Sequence, residues 1–381
     1  MNQAPFVYGR IATSPNFTNR IKEISLLKTN FKTLVNTIIL SPRRWGKSSL
    51  VRYVTKEMAV SESGLRFCHI DLFNIRTIEE FYLALAKEVL LSTSSRWEES
   101  IQNARRFLSR LIPRISFSPD NQNEISFGVS WEDLKKNPDD ILDLAQNIAL
   151  TKQFSIVICI DEFQNIGEFD DPVAFQKKLR AHWQLHDKVA YCLYGSKKHM
   201  LLEVFSDSSM PFYKFGQLIF LKKIEVADWI PFITERFSSS GKRIGESEAS
   251  LIAELTENHP YYVQQLAQQV WLRTQKTCNI QIVEEAHSSM VDQLSLLFIS
   301  ITESLSNTQI GFLKAVISGE VKLSSAEVIK KYRLGTSANV ARIKKSLIDK
   351  EIIELEEGRI MFQDPAFAFW LERDYFKFNH K

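Results

Sequence analysis

Three short polar clusters interrupt apolar stretches of this chain. "SPRRWGKSS" (residues 41–49) closes on Gly46, Lys47 and Ser48; "IDEFQNI" (160–166) carries adjacent Asp161 and Glu162; "YGSKK" (194–198) places Ser196 where an apolar run stops. Glycine, lysine and a hydroxyl residue in succession end the phosphate-binding loop GxxxxGK[ST]. In that chemistry Gly46 lets the backbone approach phosphate closely, Lys47 reaches the β- and γ-phosphates, and the Ser48 hydroxyl ligates magnesium. Pro42, Arg43, Arg44, Trp45 and Ser49 complete the candidate nucleotide contacts. Ser41 stands where the first glycine is expected, and Pro42 can stiffen the turn in its place. Over these nine residues alone, an ordinary strand–turn–helix with a basic loop has the same pattern.

The acidic pair discriminates. Two carboxylates at the end of an apolar strand are costly without a cation or charge partner. In a phosphate-loop ATPase the first, Asp161, holds the magnesium shell and the second, Glu162, polarises the attacking water. The competing reading is an acidic turn after a strand. Ser196 fits a sensor of the γ-phosphate at the end of an additional strand, or a serine in a turn beside Gly195.

These residues need a scaffold of strands ending at one edge. "NTIIL" (36–40) is a short β-branched run of the kind found in buried parallel strands, and Leu50, Val51, Val54 and Met58 then recur at helical spacing. "LRFCHIDLF" (65–73), "FSIVICI" (154–160), "VAYCLYG" (189–195) and "GQLIFLKKI" (216–224) supply four more strands. Five strands with helical connections predict a parallel α/β sheet. Residues 95–151 read as an insertion: a helical stretch at 96–112, then an alternating "ISFSPDNQNEISFGVSW" with hairpin character.

The bulk numbers set limits. The chain has 381 residues, 44% hydrophobic and 24% charged, a globular profile with room for two or three domains. No stretch approaches the ~18 to 20 apolar residues of a membrane span. Cys68, Cys159, Cys192 and Cys278 form no CxxC pair and read as reduced core residues, which points to a cytoplasmic location. A net charge of +3 neither demands nor excludes nucleic acid.

Taken in order, the segments resemble the AAA+-like P-loop ATPases of the archaeal and bacterial signal-transduction (STAND-type) family, over nearly the whole chain. "FTNRIKEISLL" (Phe17, Arg20, Glu23) is similar to that family's F-x-x-R-x-x-E helix, "SPRRWGKSSLV" to its loop, in which the first glycine is often missing, and "IDEFQNI" to its acidic motif. "YGSKKHML" resembles its sensor segment, "ENHPYYVQQLAQQVW" its helical lid and "FQDPAFAFWL" its closing segment. The resemblance implies an additional-strand α/β core with a small helical lid and a C-terminal winged helix, ATP and Mg2+ as ligands, and an adenine pocket shaped by the Arg20 helix. It reads Arg43 and Arg44 as phosphate contacts or as closure against a neighbouring protomer; a solvated basic turn is the alternative. The family often carries Tyr-Gly-Arg before the fifth strand. Here "FYKFGQL" has Lys214, a point charge without the bidentate fork of arginine.

These readings divide the chain into an ATPase core at 1–225, a helical lid at 226–306 and a winged helix at 307–381. In the lid, "EASLIAELTEN" predicts a helix ending at Asn258, with Pro260 opening the next and His259 as a cap or a nucleotide sensor. In the winged helix, Ser324 is a candidate cap, residues 336–353 take the place of a recognition helix, and Gly358 turns the wing. Arg342, Lys344 and Lys345 could meet DNA, although "ELEE" opposes it; ten basic and seven acidic residues over 307–359 do not decide the matter. The expected function is an ATP-dependent switch coupled to a protein partner that the sequence does not name, with a homo-oligomer also open. The rival expectation is a DNA-binding regulator or adaptor that nucleotide merely stabilises. ATP is the default nucleotide, since no guanine-reading Asn/Thr-Lys-x-Asp motif occurs.

Overall fold

The computed structural model describes residues 5–12, 17–93, 117–119, 127–129, 138–356 and 358–378. Helix α1 (Ile21–Lys32) precedes strand β1 (Thr37–Leu40), which is buried at all four positions. Chain order then runs α2 (Lys47–Ser61), β2 (Leu65–Asp71) and α3 (Ile78–Thr93). A short antiparallel hairpin of β3 (Phe117–Pro119) and β4 (Phe127–Val129) pairs Phe117 with Val129, as the alternating pattern predicts. The helical reading of 96–112 lies outside the described residues. After α4 (Pro138–Leu142) and α5 (Leu144–Lys152) come β5 (Ser155–Asp161), a 3-10 segment (Phe163–Glu168), α6 (Pro172–Trp183), β6 (Val189–Gly195), α7 (Lys198–Ser206) and β7 (Gln217–Phe220).

Five strands form one sheet in the order β2-β5-β6-β1-β7, every neighbour parallel. β6 is inserted between the loop strand β1 and the acidic strand β5, so this is the additional-strand arrangement. Side chains alternate between two covered faces. Ile38, Leu40, Ile156, Ile158 and Ile160 point to a core with α3, α5 and α6, while Ile39, Val157, Cys159 and Cys192 point to a core with α1 and α2. Burial on both faces explains why β1, β5 and β6 are continuously apolar in sequence, whereas the edge strand β7 leaves Leu218 and Phe220 exposed. Trp183 closes the first core, stacked at 4.0 Å on Tyr191 and 1% exposed. All four cysteines are buried and free.

The chain divides into two compact units, residues 13–222, which hold the sheet, and residues 1–12 with 223–381. The second unit is helical: α8 (Val226–Ser239), α9 (Glu246–Leu255), α10 (Pro260–Arg273), α11 (Ile280–Glu303), α12 (Asn307–Ile317), α13 (Ala326–Tyr332) and α14 (Ser337–Asp349). The hairpin β8 (Ile353–Glu356)–β9 (Arg359–Phe362) and α15 (Pro365–Trp370) follow. Phe6 packs on Phe232 and Phe237, and one core runs from these through Met290 and Phe298 to Phe367 and Trp370. Tyr262 donates to Asp364, tying α10 to the cap of α15. Gly358, at φ +82°, turns the wing as expected.

Some local readings change: α14 stops at Asp349 rather than at residue 353, because Glu351 adopts left-handed backbone at φ 56° and Ile353 opens β8. α9 stops at Leu255 rather than Asn258, because Glu257 and Asn258 adopt left-handed backbone at φ 48° and 60°. Ser325, not Ser324, caps α13, since its hydroxyl accepts from Val328 N–H. His259 precedes α10 but its side chain makes no capping hydrogen bond; the ring packs edge-on to Tyr262, 5% exposed, within the second unit's core. No helix of the described residues is long and apolar enough to cross a membrane.

Candidate functional site

The first unit gathers the three polar clusters at the C-terminal ends of its parallel strands. β1 ends at Leu40, the loop turns through Arg44 at φ 63° and Gly46 at φ 88°, and α2 begins at Lys47. A left-handed residue is cheap for glycine at 46 and strained for arginine at 44. The N-terminal end of α2, with its positive dipole end, thus faces the hollow of the loop, the geometry that suits a phosphate. Lys47 is 5% exposed, and its ammonium donates to the carbonyls of Ser41 (3.1 Å) and Pro42 (2.9 Å) within the same loop. Ser41 is itself buried and its hydroxyl donates to the Pro42 carbonyl, so the residue in place of the first glycine closes the turn instead of opening it.

β5 carries Asp161 to the same place. The Ser48 hydroxyl donates to Asp161 Oδ2 at 2.6 Å, and Glu162 N–H donates to Asp161 Oδ1 at 2.8 Å. Burial pushes the Asp161 carboxyl up to about 6; the Ser48 hydrogen bond opposes this, and neighbouring Glu162 and Asp71 add to it. Asp71 ends β2 in register with Asp161. A hydroxyl and a desolvated carboxylate in contact are oxygen donors of the kind a hard divalent cation takes. Ser48 and Asp161 are the residues that would hold Mg2+, with phosphate oxygens and water filling the remaining positions.

Glu162 adopts left-handed backbone, φ 51°, at the end of β5. That strain turns its side chain toward β6, where both the Ser196 N–H (3.2 Å) and hydroxyl (3.0 Å) donate to Oε2. The candidate base and the candidate sensor are thus in direct contact, 34 residues apart in sequence. Asn165 braces the segment by donating to the Leu72 carbonyl at 3.1 Å.

Arg20, at the N-cap of α1, reaches the loop backbone. It is 6% exposed and donates to the Lys222 carbonyl at 2.6 Å and the Trp45 carbonyl at 3.4 Å, with Glu23 at 3.4 Å. Burial lowers its guanidinium from the ordinary value and Glu23 opposes the shift. Its hydrogen bonds tie the loop backbone to the segment that follows β7. Trp45 is 4% exposed and packs, whereas Arg43 and Arg44 are exposed. Lys214 is not at this edge. It precedes β7, next to Phe215, whose carbonyl accepts from Asn36 at the start of β1. Parallel strands put that at the opposite end of the sheet from the loop, and the Lys214 ammonium lies over the Tyr213 ring.

Sequence reasoning missed Gln164, 2% exposed, whose amide donates to Glu162 Oε2. A polar residue inside an apolar-flanked acidic motif was the available signal.

Comparisons with known proteins come from structure and from one domain family. The family described as a probable winged helix domain matches residues 296–373. Among solved structures, the Walker-type ATPase of Pyrococcus abyssi is similar at TM-score 0.65 and 17% identity, covering 94% of this chain and 96% of that one. The ORC2 protein of Aeropyrum pernix, in its ADPNP–ADP complexes, is similar at TM-score 0.59 and 12% identity, over 93% of this chain and 92% of its own. A comparison with curated proteins finds no match. The chain therefore has the α/β fold of P-loop ATPases, a five-stranded parallel sheet with a C-terminal winged helix.

Proposed function

We propose that this chain is an ATP-binding, ATP-hydrolysing switch. The observation that carries it is the convergence, on one sheet edge, of Lys47, the Ser48–Asp161 pair and the Glu162–Ser196 pair. Gly46, Lys47, Ser48 and Ser49 at the start of α2 bind the phosphates, and Pro42, Arg43, Arg44 and Trp45 form the loop wall. Lys47, now on loop carbonyls, exchanges those acceptors for phosphate oxygens. Mg2+, once bound at Ser48 and Asp161, neutralises phosphate charge. Glu162 accepts the proton of the attacking water, and Ser196 ties that carboxylate to the end of β6. Because the γ-phosphate exists in only one state, a sensor in contact with the base supplies differential contact, the requirement for a switch.

The ordered motifs support membership of the signal-transduction ATPases. We read the unit of residues 13–222 as the ATPase core and, within the second unit, 226–306 as the lid and 307–381 as the winged helix that meets a protein partner. The test is Mg2+-dependent ATP binding and phosphate release. Lys47→Ala should lose binding, and Glu162→Gln should bind ATP but lose turnover about 100-fold or more. Wild-type turnover in Glu162→Gln would remove that residue from its role. A rate per molecule that rises with protein concentration would indicate a site completed by a second copy.

One observation favours a second reading, a DNA-binding regulator. Arg342 and Lys345 are exposed three residues apart on α14, and so share one side of the helix. Ala338 and Ala341, exposed on that side, are too small to obstruct them. Lys344 is half-buried. Duplex binding whose affinity falls steeply with salt, and which charge reversal at Arg342 and Lys345 abolishes, would establish this reading.

A further inference from the structure

Glu162 has one oxygen crowded with donors. Oε2 accepts from the Ser196 N–H, the Ser196 hydroxyl and the Gln164 amide. Among the described residues no donor reaches Oε1. A carboxylate with one oxygen pinned from two elements has lost its freedom to rotate, and its other oxygen is directed by default.

Gln164 does this from a buried position with a single fit. A carboxylate only accepts, so the amide nitrogen must face Glu162 and the amide oxygen must turn inward. That oxygen, Oε1, is buried and has no hydrogen-bond partner among the described residues. It occupies the space over Gly195, where a Cβ would stand 1.8 Å from Oε1 and 3.0 Å from Cδ. Leaving an amide oxygen unsatisfied is unfavourable, and a core-filling residue at 164 would be better apolar. The arrangement makes sense if the donor to Glu162 is what the position supplies.

We propose that Gln164 is a positioning residue for Glu162, and that position 195 is glycine to admit its side chain; this rests on the reading of Glu162 as the water-activating base. The test uses the full chain with ATP and Mg2+. Gln164→Met keeps length and removes the donor, Gln164→Asn keeps the amide but shortens its reach, and Gly195→Ala displaces the side chain. Each should lower kcat by about 10-fold or more while ATP affinity stays within about threefold. In a Glu162→Gln background, Gln164→Met should leave the residual single-turnover rate unchanged, because the two residues act through one carboxylate.

Wild-type kcat in Gln164→Met, with turnover lost in Glu162→Gln, overturns the inference and leaves the base intact. An equal loss of rate in both backgrounds, or a parallel loss of ATP affinity, also overturns it in favour of a packing role. Full turnover in Glu162→Gln removes the base itself. Should Gln164→Met fail to fold, Gln164→Asn is read by the same criteria.

Discussion

Acid should loosen the helix that carries the phosphate loop, and His69 is the reason. Its Nε2 lies 3.1 Å from the Thr55 hydroxyl on α2, and its Nδ1 is buried with no hydrogen-bond partner among the described residues. Burial, with Arg52 adding to it, lowers the imidazole from its ordinary 6.5 to about 4. A lowered base contributes stability that is present above its unfolded value and lost as pH falls toward its folded one. The window is therefore pH 6.5 down to 4. At about 1.4 kcal/mol per pH unit, the loss between about pH 7.5 and about pH 4.5 comes to about 2 to 3 kcal/mol. His69→Gln removes the titration and keeps a polar group beside Thr55. The variant should be less stable than wild type at about pH 7.5 by about 1 kcal/mol and more stable at about pH 4.5 by about 1 to 2 kcal/mol. Amide hydrogen exchange of α2 and β2 reads this locally, which matters in a chain of two units that need not unfold together. Parallel pH dependence in wild type and His69→Gln would refute the reasoning.

Four shorter expectations follow. Asp161→Asn, in chelator, should stabilise the metal-free protein by about 1 to 2 kcal/mol, because it removes a buried charge flanked by Glu162 and Asp71; magnesium should then no longer strengthen nucleotide binding, as titration calorimetry would show. Arg20→Met should cost about 1 to 3 kcal/mol and weaken ATP binding, since it removes the hydrogen bonds to the Lys222 and Trp45 carbonyls; unchanged melting and affinity would count against its role in holding the loop. Trp183→Ala should cost about 3 to 5 kcal/mol through the cavity left on Tyr191, measured by urea denaturation. Lys214→Ala should leave ATP turnover of the isolated chain within about twofold, because Lys214 lies at the far end of the strands from the loop.

The local motifs were legible in the sequence. Gly46, Lys47 and Ser48 form a contiguous motif, Asp161 and Glu162 are adjacent, and β-branched runs buried on both faces mark the strands without any tertiary information. A turn needing positive φ at Gly358 and a proline opening α10 belong to the same kind, since backbone preference acts within a few residues. Only the tertiary structure decided which clusters meet. Parallel pairing aligns the ends of β1, β5 and β6, and that alignment brings Ser48 to Asp161 and Ser196 to Glu162. The same alignment carries Lys214 to the opposite end, and it sets Gln164 over Gly195, a contact invisible in a pattern of hydrophobicity. Sequence patterns record what each residue needs from its immediate neighbours; strand order and register determine the distances between residues far apart in the chain.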